Sequence, residues 1–514
     1  MRGKDREIDP VIRKKTMDIL RKKFEFADVD IDSFVYLSEP ERRNVLLRIT
    51  LTSTSESVPK SIILKQSLPQ QEDINDTNAD ARFFRDWAGI KFASNIQQNE
   101  HVHNTPLFYG SDNELRFILI EDLGDPHISL VDSLAPAVPN RSKAVSALER
   151  YMKALGCFHA ASFGHTDSYE TILKEINENA TVPEEDLKSI SENLQPKLQS
   201  AVETLGLPVT TGFTDEVQQV LESIFKPGPF TVLTHGDIAP DNVFDHEEPE
   251  DLQLIDFEWS SPRNALLDGT YLRMSMPTAW FAKTIPDDVL KPLELIYREE
   301  LKKVIPEASD DLAYSTNYTQ ACAYHVLHEM SNLTHILEKD AVWGSGPVPK
   351  DSLWNPDTNS ARSRFLTRLQ TFVDVVTNHD KLHPDQPPIL PHLRKMAEDM
   401  LGKVKELWPE AKSLESYPAF KPVSLNSKQV LHPTISSSEK PESIHNREVV
   451  TPTTVGYKKE NADVPIGTSQ EYKEVLSLMR QDDESVPTAD KENEAYNNYS
   501  INLPQITPKL PWEI

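Results

Sequence analysis

Two short apolar runs, each ending in a carboxylate, constrain this chain more than any other feature. Val232 and Leu233 deliver His235-Gly236-Asp237 into a loop, Asn242 follows five residues after Asp237, and Leu254 and Ile255 deliver Asp256. Runs of this kind, bounded by turn residues, read as short strands. The pattern therefore presents a carboxylate, a carboxamide and a second carboxylate at a common edge. Magnesium-dependent phosphoryl transfer requires that set: one carboxylate orients the attacking hydroxyl and can take its proton, while the amide oxygen and the other carboxylate hold the cation against the phosphates. A solvated turn would also use Asp, Asn, Pro and Gly, but it needs no second aspartate at the end of the following strand.

His235-Gly236-Asp237 with Asn242, followed by Ile255-Asp256-Phe257-Glu258-Trp259, resembles the aminoglycoside phosphotransferase and choline kinase-like group of small-molecule kinases. The resemblance implies an α+β, two-lobed protein-kinase-like fold, with an antiparallel sheet in a small N-lobe and a larger, mostly helical C-lobe. It implies ATP and magnesium as cofactors and a small-molecule hydroxyl as acceptor. It also implies Asp237 as catalytic base, Asn242 and Asp256 as metal ligands, and Glu258 as an acid able to assist a second metal. On this reading an N-terminal helix occupies 1–30, the nucleotide-binding N-lobe 31–123, the C-lobe 124–420 and a disordered tail 421–514.

Asp9 and Pro10 make a helix start, a capping side chain followed by proline in the first turn, and apolar residues continue to Phe24. Phe34 to Leu37, Asn44 to Thr52 and Ser61 to Gln66 read as an antiparallel meander. The loop Ser38 to Asn44 falls where a kinase-like fold covers the nucleotide phosphates. No glycine occurs between Gly3 and Gly89, so neither a Walker-type nor a kinase glycine-rich loop is present there. By resemblance Ser38 and Asn44 take that role, although Glu41, Arg42 and Arg43 depart from the pattern. Lys65 lies in an apolar strand, where an inward lysine needs a partner. The resemblance makes it the α- and β-phosphate contact and Asp86, in the helix Ala79 to Phe92, its partner. Aspartate is one methylene shorter than the usual glutamate, which predicts a looser or water-bridged pair. Thr105 to Tyr109 and Arg116 to Glu121 read as two more strands, and Ile118 to Gly124, including Glu121, resembles the hinge whose backbone donors and acceptors meet the adenine edge.

From Gly124 the periodicity is helical. The helix Arg141 to Ser162 carries His159, read as a buried, hydrogen-bonded structural histidine. Asp268 matches the acid that braces the catalytic loop through backbone hydrogen bonds in the resembled family. Charged helices near Glu184 to Leu205 and Asp215 to Phe225 precede the catalytic segment, and amphipathic helices over Ile285 to Val304, Asp311 to Leu337, Ser360 to Asn378 and His392 to Trp408 follow it. His325, His328 and His335 read as a polar face, since a metal site needs more ligands. Asp310, Asp311, Glu329 and Glu338 are acids able to meet a cationic acceptor. The Ser-, Pro- and Asn-rich residues from about 426 read as disordered.

The net charge of −27, with no basic surface in view, argues against a nucleic-acid partner. Two cysteines, Cys157 and Cys322, make no disulfide framework and read as buried thiols. No apolar run spans a membrane and no signal peptide is seen, which points to the cytoplasm. Oligomeric state is not legible. A protein kinase is disfavoured because His-Gly-Asp replaces His-Arg-Asp and Ile-Asp-Phe-Glu replaces Asp-Phe-Gly. The alternatives are a catalytically silent kinase-like nucleotide-binding or scaffold protein, and an interaction protein acting through its tail.

Overall fold

Asp9 accepts a hydrogen bond from the Val11 amide and Pro10 opens the first turn, so α1 (Pro10–Lys23) starts where capping chemistry predicts. The computed structural model describes residues 8–422 apart from 26, 39–43, 69–77, 101–103, 125–127, 137, 182, 248–251, 280 and 341–358. Most of the expected tail, from residue 423 onward, lies outside the described residues, as do Glu41, Arg42 and Arg43.

The N-lobe runs β1 (Asp30–Tyr36), β2 (Asn44–Thr52), β3 (Ser61–Ser67), α2 (Asn78–Glu100), β4 (Phe108–Asp112) and β5 (Phe117–Glu121). The strands form a five-stranded sheet in the order β1-β2-β3-β5-β4, antiparallel throughout. Strand alternation sorts its faces. Leu47, Ile49, Ile62, Leu64, Phe117 and Leu119 point into one core with Leu20 of α1. Lys65 is paired with Ile118 and with Leu46 in register, which puts all three on the other face, and Ile118 belongs to the second core. β1 begins four residues before the apolar run, because Ile31 carries the otherwise polar start of the strand into the core. α2 continues through the Asn- and Gln-rich stretch to Glu100, held by buried Ile90, Phe92, Ala93 and Ile96.

The C-lobe opens with α3 (Leu130–Leu134), α4 (Arg141–Ser162), α5 (Thr166–Ile176), α6 (Pro183–Thr204) and α7 (Thr211–Phe225). β6 (Thr231–Thr234), β7 (Val243–Asp245), β8 (Leu252–Leu254), β9 (Ser261–Asn264) and α8 (Leu266–Gly269) carry the loops of Asp237 and Asp256. α9 (Asp287–Lys302), α10 (Asp311–Ser331), α11 (Leu333–Glu338), α12 (Ala361–Leu382) and α13 (Pro391–Leu407) complete it. α5, not singled out in the sequence, packs Tyr169 and Leu173 into the core with Ile172 and Ile176 partly buried beside them. The single helix expected over Asp311 to Leu337 breaks at Asn332, whose side-chain amide donates to the His328 carbonyl at 3.0 Å, a local bond that competes with the helix ladder. Cys322 is buried and Cys157 half-buried. Among the described residues no helix is long and apolar enough to cross a membrane.

Candidate active site

The loop after β6 is built by hydrogen bonds that leave its side chains little choice. β6 pairs with β9 and β7 with β8, so the two carboxylate-bearing loops leave different ribbons and are stitched together side by side. The His235 imidazole Nε2 donates to the Ile255 carbonyl at 2.8 Å, and the Ile255 amide donates to the Asn242 carbonyl at 3.0 Å. Asp268, at the start of the C-lobe's second half, accepts from the His235 amide at 2.6 Å on Oδ2 and from the Gly236 amide at 3.1 Å on Oδ1. His159 lies 3.2 Å from the same carboxylate and 2.7 Å from the Tyr297 hydroxyl, the buried and bonded state its sequence context predicts. Burial raises the Asp268 pKa, but its bond to His159 and the charge of Arg263 outweigh that and hold it below the usual carboxylate value. Gly236 has φ +81°, and a Cβ there would sit 2.4 Å from the Trp259 carbonyl, so both conformation and space demand glycine.

Lys65 crosses from the N-lobe to this edge. Its Nζ lies 2.6 Å from Asp256 Oδ1 and 2.7 Å from Asp86 Oδ2, and its side chain is only 11% exposed. Burial disfavours the ammonium, but the carboxylates of Asp256, Asp86 and Glu258 outweigh it and raise the pKa above the ordinary lysine value. Desolvation raises the Asp86 pKa in turn. The short aspartate therefore makes a direct pair, not the looser or water-bridged one expected. The reason is the approach of α2: a Cβ on Gly89 would sit 2.6 Å from Phe257 Cβ, so the helix comes in close enough for the shorter side chain. Asp86 Oδ1 also accepts from the Phe257 amide at 2.9 Å, which fixes the residue next to Asp256. Asp256 itself has φ +68°, a left-handed conformation that aspartate tolerates better than most residues.

Asp237 faces the same edge. Asn242 Nδ2 donates to its carbonyl at 2.8 Å and to Oδ2 at 3.2 Å, and the Thr278 hydroxyl donates to Oδ1. Burial, together with the nearby charges of Asp241 and Asp256, pushes the Asp237 carboxyl up to about 7 against those hydrogen bonds. Such crowding of anions, with an amide oxygen beside them, is an oxygen-only, hard donor set that fits a magnesium ion. Among the described residues no three His, Cys, Asp or Glu side chains close around a metal by themselves. Magnesium needs no such cage, because it binds through one or two carboxylates with phosphate oxygens and water.

The remaining expected residues are placed as follows. Ser38 and Asn44 flank the part of the phosphate loop outside the described residues. Ser38 Oγ accepts from the Leu46 amide at 3.0 Å and Asn44 Oδ1 from the Ser67 hydroxyl at 2.8 Å, and Asn44 shares the Lys65 face by register. Glu121, expected to act through its backbone, has its side chain on the other face: it pairs with Ile62 on the N-lobe core face, and its carboxylate accepts from the Leu107 amide at 3.1 Å. Glu258 is near enough to act on Lys65. His325 and His328 are buried, not a solvated face, because α10 is enclosed from Thr319 to Ser331. His325 donates to the Leu267 carbonyl at 3.0 Å, and burial pushes its pKa down to about 4. Asp310 caps α10, Asp311 pairs with Arg298 at 2.7 Å and Glu329 pairs with Arg368. Thr278 and Asp241, which act directly on the Asp237 carboxylate, were not singled out by the motifs.

An antiparallel N-lobe sheet whose lysine meets an aspartate of a helical C-lobe, next to a His-Gly-Asp loop bonded to that aspartate's neighbour, is the architecture of the protein-kinase-like small-molecule phosphotransferases. The sequence profile of the ecdysteroid kinase-like family matches residues 44–304. The chain belongs to that family, which is related to the aminoglycoside phosphotransferase and choline kinase-like group its motifs resemble. No curated protein matches it. Among solved structures, that of a Plasmodium vivax ethanolamine kinase is similar at 12% identity, covering 72% of this chain and 92% of that one, with a TM-score of 0.37.

Proposed function

We propose that this protein transfers the γ-phosphate of ATP to a hydroxyl of a small molecule with the help of magnesium. The observation that carries the reading is the convergence of Lys65 on Asp86 and Asp256, residues distant in sequence, within 2.7 Å. A charged lysine buried at the junction of the lobes, opposite an acidic edge, is what binding of a nucleotide polyphosphate requires. When nucleotide enters, the Lys65 ammonium exchanges its contact with Asp256 for the α- and β-phosphates, and Asp86 keeps it aimed. Asn242, through its amide oxygen, and Asp256 would hold magnesium, which supplies charge neutralisation as the bond to the leaving oxygen breaks. Glu258 is the further acid available to a second ion. Asn44 and Ser38 border the phosphates.

Asp237 accepts a hydrogen bond from the acceptor hydroxyl and takes its proton as the hydroxyl oxygen bonds to the γ-phosphorus and ADP departs. A base pushed up to about 7 is suited to hold that proton near neutral pH. Two unpaired thiols fit a reducing compartment, and we place the protein in the cytoplasm. The test is ADP release from ATP over a panel of hydroxylated metabolites, with and without magnesium. Magnesium-dependent release with one class of acceptor is expected. Nucleotide that binds but never turns over would favour a silent kinase-like scaffold.

A further inference from the structure

Each oxygen of the Asp237 carboxylate has its own donor: Thr278 on Oδ1 and Asn242 on Oδ2. Since the Thr278 hydrogen goes to Asp237, the Tyr271 phenol is the donor in the hydrogen bond it makes to Thr278 Oγ1. Asn242 comes from the catalytic loop itself, but Thr278 belongs to a separate turn, and that turn is unusually constrained. Ser275 and Met276 have φ of +57° and +50°, two successive non-glycine residues in the left-handed region. Arg368 of α12 donates to the carbonyls of Met274 at 3.0 Å and of Ser275 and Met276 at 3.3 Å each. One turn earlier Arg364 donates to the Ala279 carbonyl at 3.2 Å and, through Nε, to Asn359 Oδ1 at 2.9 Å. Both guanidinium side chains are buried, and Arg368 is paired with Glu329. The chain is thus gripped immediately before and immediately after the residue that meets Asp237.

A turn needed only for connectivity would use glycine and water; strained backbone held by desolvated charge points instead to a demand for precise placement. We infer that Thr278 is a positioning residue for phosphoryl transfer and that Arg364 and Arg368 clamp the turn so that its hydroxyl sets the orientation of the Asp237 carboxylate. The inference rests on Asp237 being the base of the proposed reaction. The bland alternative is that Thr278 merely satisfies a buried carboxylate; it would then support folding without affecting the chemical step differentially.

The experiment compares wild type, Thr278→Val, Thr278→Ser, Arg368→Lys and the double variant Thr278→Val/Arg368→Lys, using magnesium-ATP and the panel hydroxyl compound that supports most ADP release. Thr278→Val is expected to lower kcat about 10- to 100-fold, with the KM for ATP within about twofold of wild type, because the group lost acts through the base and not through nucleotide binding. Thr278→Ser, which keeps the hydroxyl, is expected to restore most of kcat. The double variant is expected to be no slower than the slower single variant, since both changes release the same carboxylate. A Thr278→Val enzyme with wild-type kcat, a Thr278→Ser enzyme as slow as Thr278→Val, or a double variant in which the two losses multiply would overturn the inference. If Arg368→Lys does not fold, the valine and serine pair decides it. Wild type without ADP release would instead contradict the phosphotransfer reading, and this inference with it.

Discussion

Asp86 accepts a hydrogen bond from the backbone amide of Phe257, 171 residues further along the chain, at 2.9 Å, while its other oxygen holds Lys65 at 2.7 Å. One carboxylate thereby fixes both the N-lobe lysine and the C-lobe segment next to Asp256. Asp86→Ala would leave Lys65 short of a counter-charge and the Phe257 amide without a partner, both away from water. The expected cost is about 3–5 kcal/mol of stability by chemical denaturation. Affinity for magnesium-ATP should weaken by at least about tenfold, because the freed lysine collapses onto Asp256. A variant as stable as wild type would show that the pair is not structurally coupled.

Asp268 touches no substrate in the proposed reaction, yet it should be intolerant even of asparagine. Its two oxygens each accept from a different backbone amide, those of His235 and Gly236, and an asparagine must turn its NH₂ toward one of them. Asp268→Asn should cost about 2–3 kcal/mol at neutral pH and lower kcat by distorting the loop. The folded pKa lies below the ordinary aspartate value, so the carboxylate's contribution is fully present above the unfolded pKa of about 4 and is lost as the pH falls through the folded value. Denaturation across acidic pH should therefore show a steeper loss of stability for wild type than for Asp268→Asn. Parallel curves would contradict the depressed pKa.

Ser275 provides a test of the strained turn by itself. Glycine enters the left-handed region without the Cβ penalty, so Ser275→Gly should stabilise the fold by about 1 kcal/mol. The measurement is a urea midpoint at unchanged m-value. Destabilisation of similar size would mean that the side chain, not the backbone, is what the site requires.

The parts of this molecule legible in the sequence are those where chemistry ties residue types to spacing. His235, Asp237, Asn242 and Asp256 lie in two loops that follow recognisable strands, so their convergence could be read before any coordinates. Lys65 was legible because an ammonium in an apolar strand needs a counter-charge, and Asp86 because Arg85-Asp86 on the following helix resembles the Arg-Glu pair of the kinase-like group. Thr278 was not, since it meets Asp237 across 41 residues from a turn with no periodic pattern. Arg364 and Arg368 left a faint signal: they lie four apart among Phe365, Leu369 and Phe372, all buried, and a charge within an apolar stripe must find buried partners. For Glu121, expected at the adenine edge through its backbone, the sheet register fixes only that its side chain lies with Ile62 and away from Lys65, a parity that only the folded sheet supplies. The buried His325 and His328 misled, since a polar residue on a helix enclosed on all sides looks like one on a solvated face.

The most direct test of the central claim is magnesium-dependent phosphate transfer from ATP by wild type and by Asp237→Ala, measured in single turnover with the acceptor that supports ADP release. Loss of the group that orients and deprotonates the hydroxyl is expected to slow transfer about 10²- to 10⁴-fold while ATP still binds. Transfer at the same rate in both proteins would contradict the assignment of Asp237 and the site built around it.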